Sequence, residues 1–335
     1  MEIRRVQMTG GSSYIITLPK EWVKTLNIQK NDPVGLFRQS DGTLLITSKM
    51  NREQTQKIKE FDIKESVDEN ELLRKLVGAY ISGYNSIKIK TKQRLTPKVR
   101  RTVRNFTQNT IGQEVVEETS NTIVLKDLLN PAEMPFNRTI KRMHIMVKGM
   151  FEDIMHAFRY KDKQLAKDIL TRDNEIDRLH WLVARQHNII EQNINFAEKM
   201  GITPQVATTS FLISRILERI GDHIIKIAKN VTELVDKNID EKIIDKIEQT
   251  GRQTIEILNQ SIGAFSKKDL DQANKNIDKV ENLNEKLEEL NNLALKQKPD
   301  VAIALGYIIE SIRRIGDYAE DISESVINYL IGQGK

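Results

Sequence analysis

Two pairs of acidic residues in the second half of the chain have the spacing of metal ligands on helices. Asp173 and Asp177 are four residues apart, and so are Glu218 and Asp222. Residues at this spacing share one face of an α-helix, where two like charges destabilise the helix by roughly 0.2–0.5 kcal/mol. Oxygen ligands of this kind suit hard cations and iron. The pairs therefore predict a four-carboxylate patch that binds a metal ion, with iron, zinc or magnesium as candidates.

The same spacing also fits a solvated acidic face that binds no metal. Four arginines lie close enough in sequence to act as counterions: Arg172, Arg178, Arg215 and Arg219. His180 continues the face of the Asp173–Asp177 pair by one turn and is a further candidate ligand. The spacing of the acids leaves both interpretations open.

Apolar stripes indicate which way these carboxylates face. The stripes repeat with helical period and consist of Ile213, Leu217, Ile220, Ile224 and Ile227 in one segment and Leu165, Ile169, Ile176 and Val183 in the other. Glu218 and Asp222 fall well away from their stripe on a helical wheel, whereas Asp173 and Asp177 flank theirs. We therefore expect the acids to face outward on the surface of a bundle.

The chain is helical in pattern from residue 137 almost to its end. Breaks near residues 201–204, 237–240, 266–269 and 298–300 leave about six helices of roughly 25–35 residues, a length typical of helix bundles. Three short sequences recur in the same order: AFRYKD at 157–162 as AFSKKD at 264–269, IDRL at 176–179 as VENL at 280–283, and RIGD at 219–222 as RIGD at 314–317. This duplication predicts two tandem three-helix bundles, at residues 137–236 and 238–331.

Two glycines interrupt otherwise good helical sequence. Gly221 and Gly316 occupy equivalent positions in the two copies, although glycine in a helix costs about 1 kcal/mol relative to alanine. Either a close helix–helix approach or a bound ion beside the helix would require the missing side chain. Both interpretations remain open.

The second copy departs from the acidic pattern. Arg313 stands where the first copy has Glu218, whereas Asp317 is retained and Asp321 and Glu324 extend its face. Glu281 aligns with Asp177 of the first copy. We expect a good metal site in the first bundle, a weakened or absent one in the second, and pairing of Arg313 with Glu310 or Asp317.

The hexapeptide ERIGDH at residues 218–223, together with the preceding Asp173–Asp177 pair, resembles the acidic motif of the PhoU family. The resemblance covers roughly residues 137–331. It implies two tandem three-helix bundles with metal clusters on their surface. It also implies negative regulation of phosphate uptake through contact with a phosphate transporter or a sensor kinase, and association with a membrane only through such a partner.

The first fifty residues predict short strands, with a brief helix near residues 20–26. The sequences GSSYIITLPK at 11–20 and LNIQKNDPV at 26–34 resemble the AbrB/SpoVT swapped-hairpin module, with Asn31 at a turn position where the family usually has glycine. The resemblance implies a homodimer built through this module, and DNA contact by basic residues. The candidates are Arg4, Arg5, Lys20 and Lys24. Ordinary solvated surface charge is the alternative for these four, and the fusion of the two modules is an arrangement associated with archaea.

A polar linker at residues 51–59 and a small α+β domain at residues 60–130 are expected between these modules. Eight basic residues and no acid lie between Ser86 and Gln113: Lys88, Lys90, Lys92, Arg94, Lys98, Arg100, Arg101 and Arg104. This stretch is either a solvated surface, a DNA contact or a docking site for an acidic partner.

Composition limits the classes of function. The chain has 335 residues, a net charge of +5, 39% hydrophobic residues and no cysteine. It therefore has no disulfide and no thiol chemistry, and several domains are expected. No apolar run is long enough to span a membrane and no secretory leader is visible, which predicts a cytoplasmic protein.

Three functions follow from these patterns. The first is a regulator of phosphate homeostasis, and the second is a DNA-binding transcriptional regulator whose bundles respond to a metal or ligand. The third is a carboxylate-bridged metalloenzyme, which is disfavoured because the Glu-x-x-His ligands of di-iron bundles are missing and the acids are expected to face outward. Catalysis is not expected.

Overall fold

The computed structural model describes residues 2–38, 42–48, 57–64, 66–193 and 195–334. The chain divides into two compact units, Met1–Gln56 and Lys57–Lys335. Residues 51–56 of the predicted linker lie outside the described residues. The first strand of the second unit begins at Ile58, so the last two residues assigned to the linker belong to that strand.

The first unit consists of two hairpins and a short helix: β1 (Gln7–Thr9), β2 (Ser13–Ile15), α1 (Lys20–Thr25), β3 (Gly35–Arg38) and β4 (Leu44–Thr47). β1 pairs with β2, and β3 pairs with β4, each antiparallel. β2 ends at Ile15, which pairs with Gln7 at the start of β1. Asn31 has φ of +74°, which confirms that asparagine takes the left-handed turn position.

This unit buries almost none of its own apolar surface. Among its side chains whose burial is described, Thr47 alone is buried. The exposed large apolar side chains are Ile3, Val6, Met8, Tyr14, Ile15, Ile16, Leu26, Leu36, Leu44 and Leu45. A unit of this size cannot be stable without burying such a set.

The second unit begins with the predicted α+β domain. Its elements are β5 (Ile58–Asp62), α2 (Glu69–Ile81), β6 (Ser86–Lys90), α3 (Pro97–Gln108), β7 (Gln113–Glu118) and β8 (Thr122–Asp127). The sheet order is β5-β6-β8-β7, with β5 parallel to β6 and the other pairs antiparallel. Asp68 caps α2 by accepting a hydrogen bond from the Glu71 N–H, and Thr96 caps α3 by accepting one from Val99.

Helices fill the rest of the unit: α4 (Phe136–Tyr160), α5 (Lys163–Ile169), α6 (Asp173–Gln192), α7 (Asn195–Lys199), α8 (Pro204–Leu234), α9 (Glu241–Lys267), α10 (Leu270–Ala294) and α11 (Pro299–Gly332). α4, α5 with α6, and α8 form the first copy, and α9, α10 and α11 form the second. Lys161 and Lys268 end α4 and α9 in the same left-handed conformation, with φ of +57° at both. The mainly α fold with tandem helical repeats is therefore confirmed. None of the described helices is both long and apolar enough to cross a membrane.

The second helix of the first copy is broken, which the sequence did not predict. α5 ends at Ile169 and α6 begins at Asp173, whereas α10 of the second copy is continuous. The Arg172 guanidinium bonds to Asp168 and to Asp153, and the Thr171 hydroxyl donates to the Asp168 carbonyl. The break therefore carries local bonds to Asp168 and a long-range bond to Asp153, and it contains no proline or glycine.

The two copies share one large hydrophobic core, whose members range from Ile140 in α4 to Ile322 in α11. All five residues of the predicted stripe in α8 are buried. A Cβ on Gly221 would lie 3.0 Å from Ile176 Cδ1, and one on Gly316 would lie 2.9 Å from Leu283 Cδ2. Both glycines therefore allow a close approach of neighbouring helices.

The α+β domain packs against α6 through a buried polar contact. Arg185 on α6 is fully buried and forms an ion pair with Asp127 at 2.7 Å. Its guanidinium also donates to the carbonyl oxygen of Tyr80 at 2.5 Å and lies 4.9 Å from the centre of that ring. The Asn188 amide donates to the Ile81 carbonyl at 2.9 Å. α6 therefore joins the α+β domain to the first bundle.

Candidate metal centre

The structure brings the two acidic pairs together in the seam between α6 and α8. Asp173 and Asp177 occupy the first two turns of α6, where the positive end of the helix dipole favours carboxylates. Glu218 and Asp222 lie midway along α8. A Cβ on Gly221 would lie 3.1 Å from Asp173 Oδ1, so the absence of a side chain there makes room for this carboxylate. We call these four side chains the carboxylate cluster.

Burial and mutual repulsion both disfavour the charged form of the cluster. Burial, followed by the charges of Asp173, Glu218 and Asp222, raises the pKa of Asp177 to about 7. Burial and the charge of Asp222 raise the pKa of Asp173, whereas Lys229 opposes this effect. Such shifts show that the carboxylates of α6 and α8 interact with one another, and they mark a site that a cation would stabilise.

The pKa of the Glu218 carboxyl is shifted in the same direction. Burial raises its pKa, and the charges of Asp222 and Asp173 add to the shift. Arg215 and Arg219 act in the opposite direction but do not cancel it.

None of the four acids of the cluster forms an ion pair with a described side chain. No ion pair or side-chain hydrogen bond of the described residues includes any of its four members, and Asp173 Oδ1 is buried without a hydrogen-bond partner. Arg172 is engaged by Asp153 and Asp168, and Arg178 by Glu175. Two of the four proposed counterions are therefore used elsewhere, which weakens the interpretation as a solvated, neutralised face.

The four acids differ in their exposure to solvent. Asp222 is exposed, whereas Asp173, Asp177 and Glu218 are only partly exposed. A helical wheel describes one helix at a time. It cannot show that α6 approaches α8 closely at Gly221 and so partly buries the acids that lie between the two helices.

His180 does not join the cluster. Its Nδ1 lies 3.0 Å from the Ser214 hydroxyl, and its ring stacks on Phe211 with centroids 6.0 Å apart. Burial and the charge of Arg215 lower its pKa to about 4. The ring is therefore neutral at neutral pH and already has a partner on α8.

The second copy has its acids arranged differently. Arg313 pairs with Glu310 at 2.6 Å and with Asp317 at 3.4 Å, as expected from the sequence. Arg314 also binds Asp317, at 3.0 Å. Burial raises the pKa of Asp321, and Arg314 opposes the shift. Asp317 thus forms ion pairs with two arginines, whereas its counterpart Asp222 forms none with the described residues.

One acid of the second copy escaped sequence reasoning. Burial and the charges of Glu324, Asp317, Asp321 and Glu281 raise the pKa of Glu320. Glu320 thus lies near Glu281 of the neighbouring helix. Its spacing of three residues from Asp317 would have identified it.

The carboxylate cluster fits a hard cation by the chemistry of its oxygens and by the orphaned Asp173 Oδ1. Among the described side chains, no group of three or more His, Asp or Glu residues is close enough, as oriented, to ligate one ion. Rotation of the carboxylates is therefore needed for more than two of them to share an ion.

The candidate DNA-binding residues of the first unit are all exposed. Arg4 forms an ion pair with Glu2 at 2.5 Å, and Lys20 and Lys24 lie at the two ends of α1. Arg5, Lys20 and Lys24 form no ion pair within the described ranges. They remain free to contact an anion.

Comparison with known families identifies both modules. The PhoU domain matches residues 140–231 and 247–326, which together are just over half of the chain and correspond to the two helical copies. The family described as "Antidote-toxin recognition MazE, bacterial antitoxin" matches residues 7–54. The first unit thus carries a MazE/AbrB-type domain, in agreement with the resemblance seen in its sequence.

Individual relatives are consistent with these matches. The phosphate-specific transport system accessory protein PhoU of Escherichia coli is 29% identical over 213 residues, which are 60% of this chain and 85% of that protein. A homologue from Clostridium acetobutylicum is 27% identical, over 57% of this chain and 89% of its own length. The crystal structure of PhoU from Pseudomonas aeruginosa superposes with a TM-score of 0.53 at 19% identity, covering 59% of this chain and 96% of the other. That structural likeness concerns the fold alone.

Proposed function

The chain belongs to the PhoU family, and on that premise we propose that it regulates phosphate transport by binding other proteins, with a metal ion held at the carboxylate cluster. The sequence relatives are named as accessory proteins of a phosphate-specific transport system. The proposal rests on the cluster itself. It consists of four acids from two helices, three of them have raised pKa values, and none forms an ion pair with a described residue.

The cluster divides its ligands between two helices. Asp173 and Asp177 would bind from α6, and Glu218 and Asp222 from α8. When bound, a cation such as iron, zinc or magnesium would offset the repulsion between these carboxylates and link the two helices. α6 is also joined to the α+β domain through Arg185. A change in the distance between α6 and α8 on metal binding would therefore also move the α+β domain, and a partner protein can respond to that movement.

The first unit supports assembly. Many of its large apolar side chains are exposed in the single chain, β1–β4 form two separate hairpins, and none of the apolar side chains whose burial is described is buried. We propose that two copies of this unit intertwine into one homodimeric module. A peripheral association with a membrane would then arise only through a transporter or sensor kinase that binds the dimer.

The test is phosphate uptake in the source organism. A strain that lacks this chain should take up radiolabelled phosphate at a rate that no longer falls when phosphate is plentiful. The wild-type chain should restore the response, and a variant with Asp173→Asn, Asp177→Asn, Glu218→Gln and Asp222→Asn should not. An unchanged response in the deletion strain would reject the phosphate role.

A second candidate is a DNA-binding transcriptional regulator whose bundles act as an effector domain. The match of the first unit to an antitoxin family and its exposed Arg5, Lys20 and Lys24 favour it. A gel shift at two salt concentrations distinguishes the candidates, because lysine and arginine contacts to phosphates weaken as salt rises. The absence of any shift at low salt would remove the DNA role.

A further inference from the structure

The exposed basic surface of the α+β domain has no part in the function proposed above. It extends from the loop after β6 along the outer face of α3, in a stretch without Asp or Glu between Ser86 and Gln113. Its exposed side chains are Lys92, Gln93, Arg94, Lys98, Arg101, Arg104, Asn105 and Gln108. We call this the α3 surface.

The amphipathic pattern of α3 fixes the orientation of this surface. Val99, Thr102, Val103 and Phe106 are buried against the sheet and α2, so the opposite face is exposed to solvent. From Lys98 to Gln108 the surface is about 15 Å long at the rise of an α-helix. The hydrogen-bond donors of its side chains are therefore spread along the whole helix and do not converge on one point.

Four of the cations on this surface are available to a ligand. Arg101 is held by Glu69 at 2.8 Å, and Arg100 pairs with Glu118. In contrast, Lys92, Arg94, Lys98 and Arg104 form no ion pair within the described part of the chain. A groove of about 680 Å³ lies between α2 and α3, and of these free cations Arg104 lines it, together with Glu69, Arg101, Asn105 and Gln108 among others.

The chemistry of this surface selects one class of ligand. A small anion would require donors that converge, whereas these are distributed along the helix. The core of a protein–protein interface and the membrane-facing side of an interfacial helix both bury large apolar side chains. No large apolar side chain is exposed between residues 59 and 115 within the described ranges. An extended polyanion such as nucleic acid needs no apolar side chains of that kind.

The form of the nucleic acid follows from the helix. Binding to single strands uses exposed aromatic side chains for stacking, and Phe106 on α3 is buried. An α-helix fits the major groove of B-form DNA but not the deep, narrow major groove of RNA duplexes. Arginine, asparagine and glutamine are also the side chains that read guanine and adenine edges in that groove.

We propose that the α3 surface binds duplex DNA, with α3 in the major groove and Arg94, Lys98 and Arg104 contacting phosphates. Asn105 and Gln108 then face the base edges. This contact is separate from that of the first unit and does not depend on the role in phosphate transport.

The experiment measures fluorescence anisotropy of a labelled random-sequence 30-base-pair DNA with the full-length protein from 50 to 300 mM salt. The test variant carries Arg94→Gln, Lys98→Gln and Arg104→Gln. The matched control carries Lys242→Gln, Lys267→Gln and Lys275→Gln, which removes three exposed lysines of the second copy that form no ion pair with described residues. A third variant removes Arg4, Arg5, Lys20 and Lys24 of the first unit.

We expect the test variant to bind at least about tenfold more weakly at 100 mM salt, with a salt slope reduced by roughly 0.9 for each phosphate that the protein no longer neutralises. The control should bind like the wild type. An RNA duplex of the same sequence should bind at least about tenfold more weakly than DNA.

Equal DNA affinity and slope in the test variant and the control would overturn the proposal, even if the third variant loses binding and so supports DNA contact by the first unit. Equal affinity for the RNA and DNA duplexes would overturn insertion of α3 into the groove. Retention on vesicles of phosphatidylglycerol without any DNA binding would replace nucleic acid by a membrane surface and would also overturn it.

Discussion

At the scale of single residues, the central feature is a set of carboxylates that are difficult to ionise together. Burial and the charges of its neighbours raise the pKa of Asp177 to about 7, compared with 3.8 for an ordinary aspartate. The folded chain therefore binds a proton at this site more tightly than the unfolded chain does. This difference predicts how stability depends on pH in the absence of a cation.

The stabilisation from protonated Asp177 is fully present below about pH 3.8 and is lost as the pH rises through about 7. We expect the free energy of unfolding of chelator-treated protein to fall between pH 5 and pH 8. Asp177→Asn should reduce that fall, and Asp278→Asn, at an exposed position on α10, should not. Urea denaturation at each pH measures this, and identical profiles for Asp177→Asn and the wild type would contradict it.

The two equivalent glycines should respond differently to alanine. A Cβ on Gly221 would lie 3.1 Å from Asp173 Oδ1, whereas one on Gly316 would meet the end of the flexible Leu283 side chain. Gly221→Ala should lower the affinity for added divalent cation, because it displaces a ligand.

Gly316→Ala should leave that affinity unchanged, because its contact lies in the second copy. Alanine has a higher helix propensity than glycine, by about 1 kcal/mol, and this gain should offset the destabilisation caused by the close contact with Leu283. Calorimetric titration with Mn²⁺ measures the affinity of both variants. An equal effect of the two substitutions would argue against placing Asp173 in the site.

The spacing of the acids in the sequence predicts which residues form the cluster, but it does not predict how deeply they are buried. The four-residue spacing was sufficient to pair the acids within each helix. The distance between α6 and α8 depends on packing at Gly221 and on the position of Asp173 at the start of α6. Neither can be read from one helix, so the partial burial of Asp173, Asp177 and Glu218 was missed.

At the scale of elements, α6 connects the α+β domain to the cluster. Its buried Arg185 pairs with Asp127, and removal of one member leaves the other charge buried and unpaired. We therefore expect Arg185→Ala to lower the free energy of unfolding by about 3–5 kcal/mol.

The control is Arg138→Ala, because Arg138 is exposed and forms no ion pair with described residues. This substitution should change the free energy of unfolding by less than about 0.5 kcal/mol. Urea denaturation compares the two variants. A decrease below about 1 kcal/mol in Arg185→Ala would show that the ion pair does not hold the domain to α6.

Helix boundaries were predictable where capping residues mark them. α2 begins at Glu69 after its Asp68 cap, and α3 begins at Pro97 after its Thr96 cap. The break between α5 and α6 was not predictable. It depends on the long-range bond from Arg172 to Asp153 on α4, and no proline or glycine marks it.

At the scale of the whole molecule, the exposed apolar side chains of the first unit predict self-association. Leu36→Glu with Leu44→Glu places charge among the side chains that the dimer would bury. We expect the wild type to have twice the chain mass of 38.6 kDa in size-exclusion chromatography with light scattering, and this variant to have the mass of one chain.

Leu128→Glu with Ile145→Glu changes two exposed apolar residues of the second unit and is the matched control. It should remain dimeric. A dimeric Leu36→Glu/Leu44→Glu variant would place the association elsewhere in the chain.

The most direct test of the metal site is metal content. Purified wild-type protein, exposed to Fe²⁺, Zn²⁺, Mn²⁺ or Mg²⁺ and then desalted, should retain at least one of these metals in stoichiometric amount by elemental analysis. A control variant with Asp271→Asn, Asp278→Asn, Glu285→Gln and Glu288→Gln removes four exposed acids of α10 and should retain as much. The variant with Asp173→Asn, Asp177→Asn, Glu218→Gln and Asp222→Asn should retain none. Equal metal content in this variant and the wild type would contradict a metal site at the carboxylate cluster.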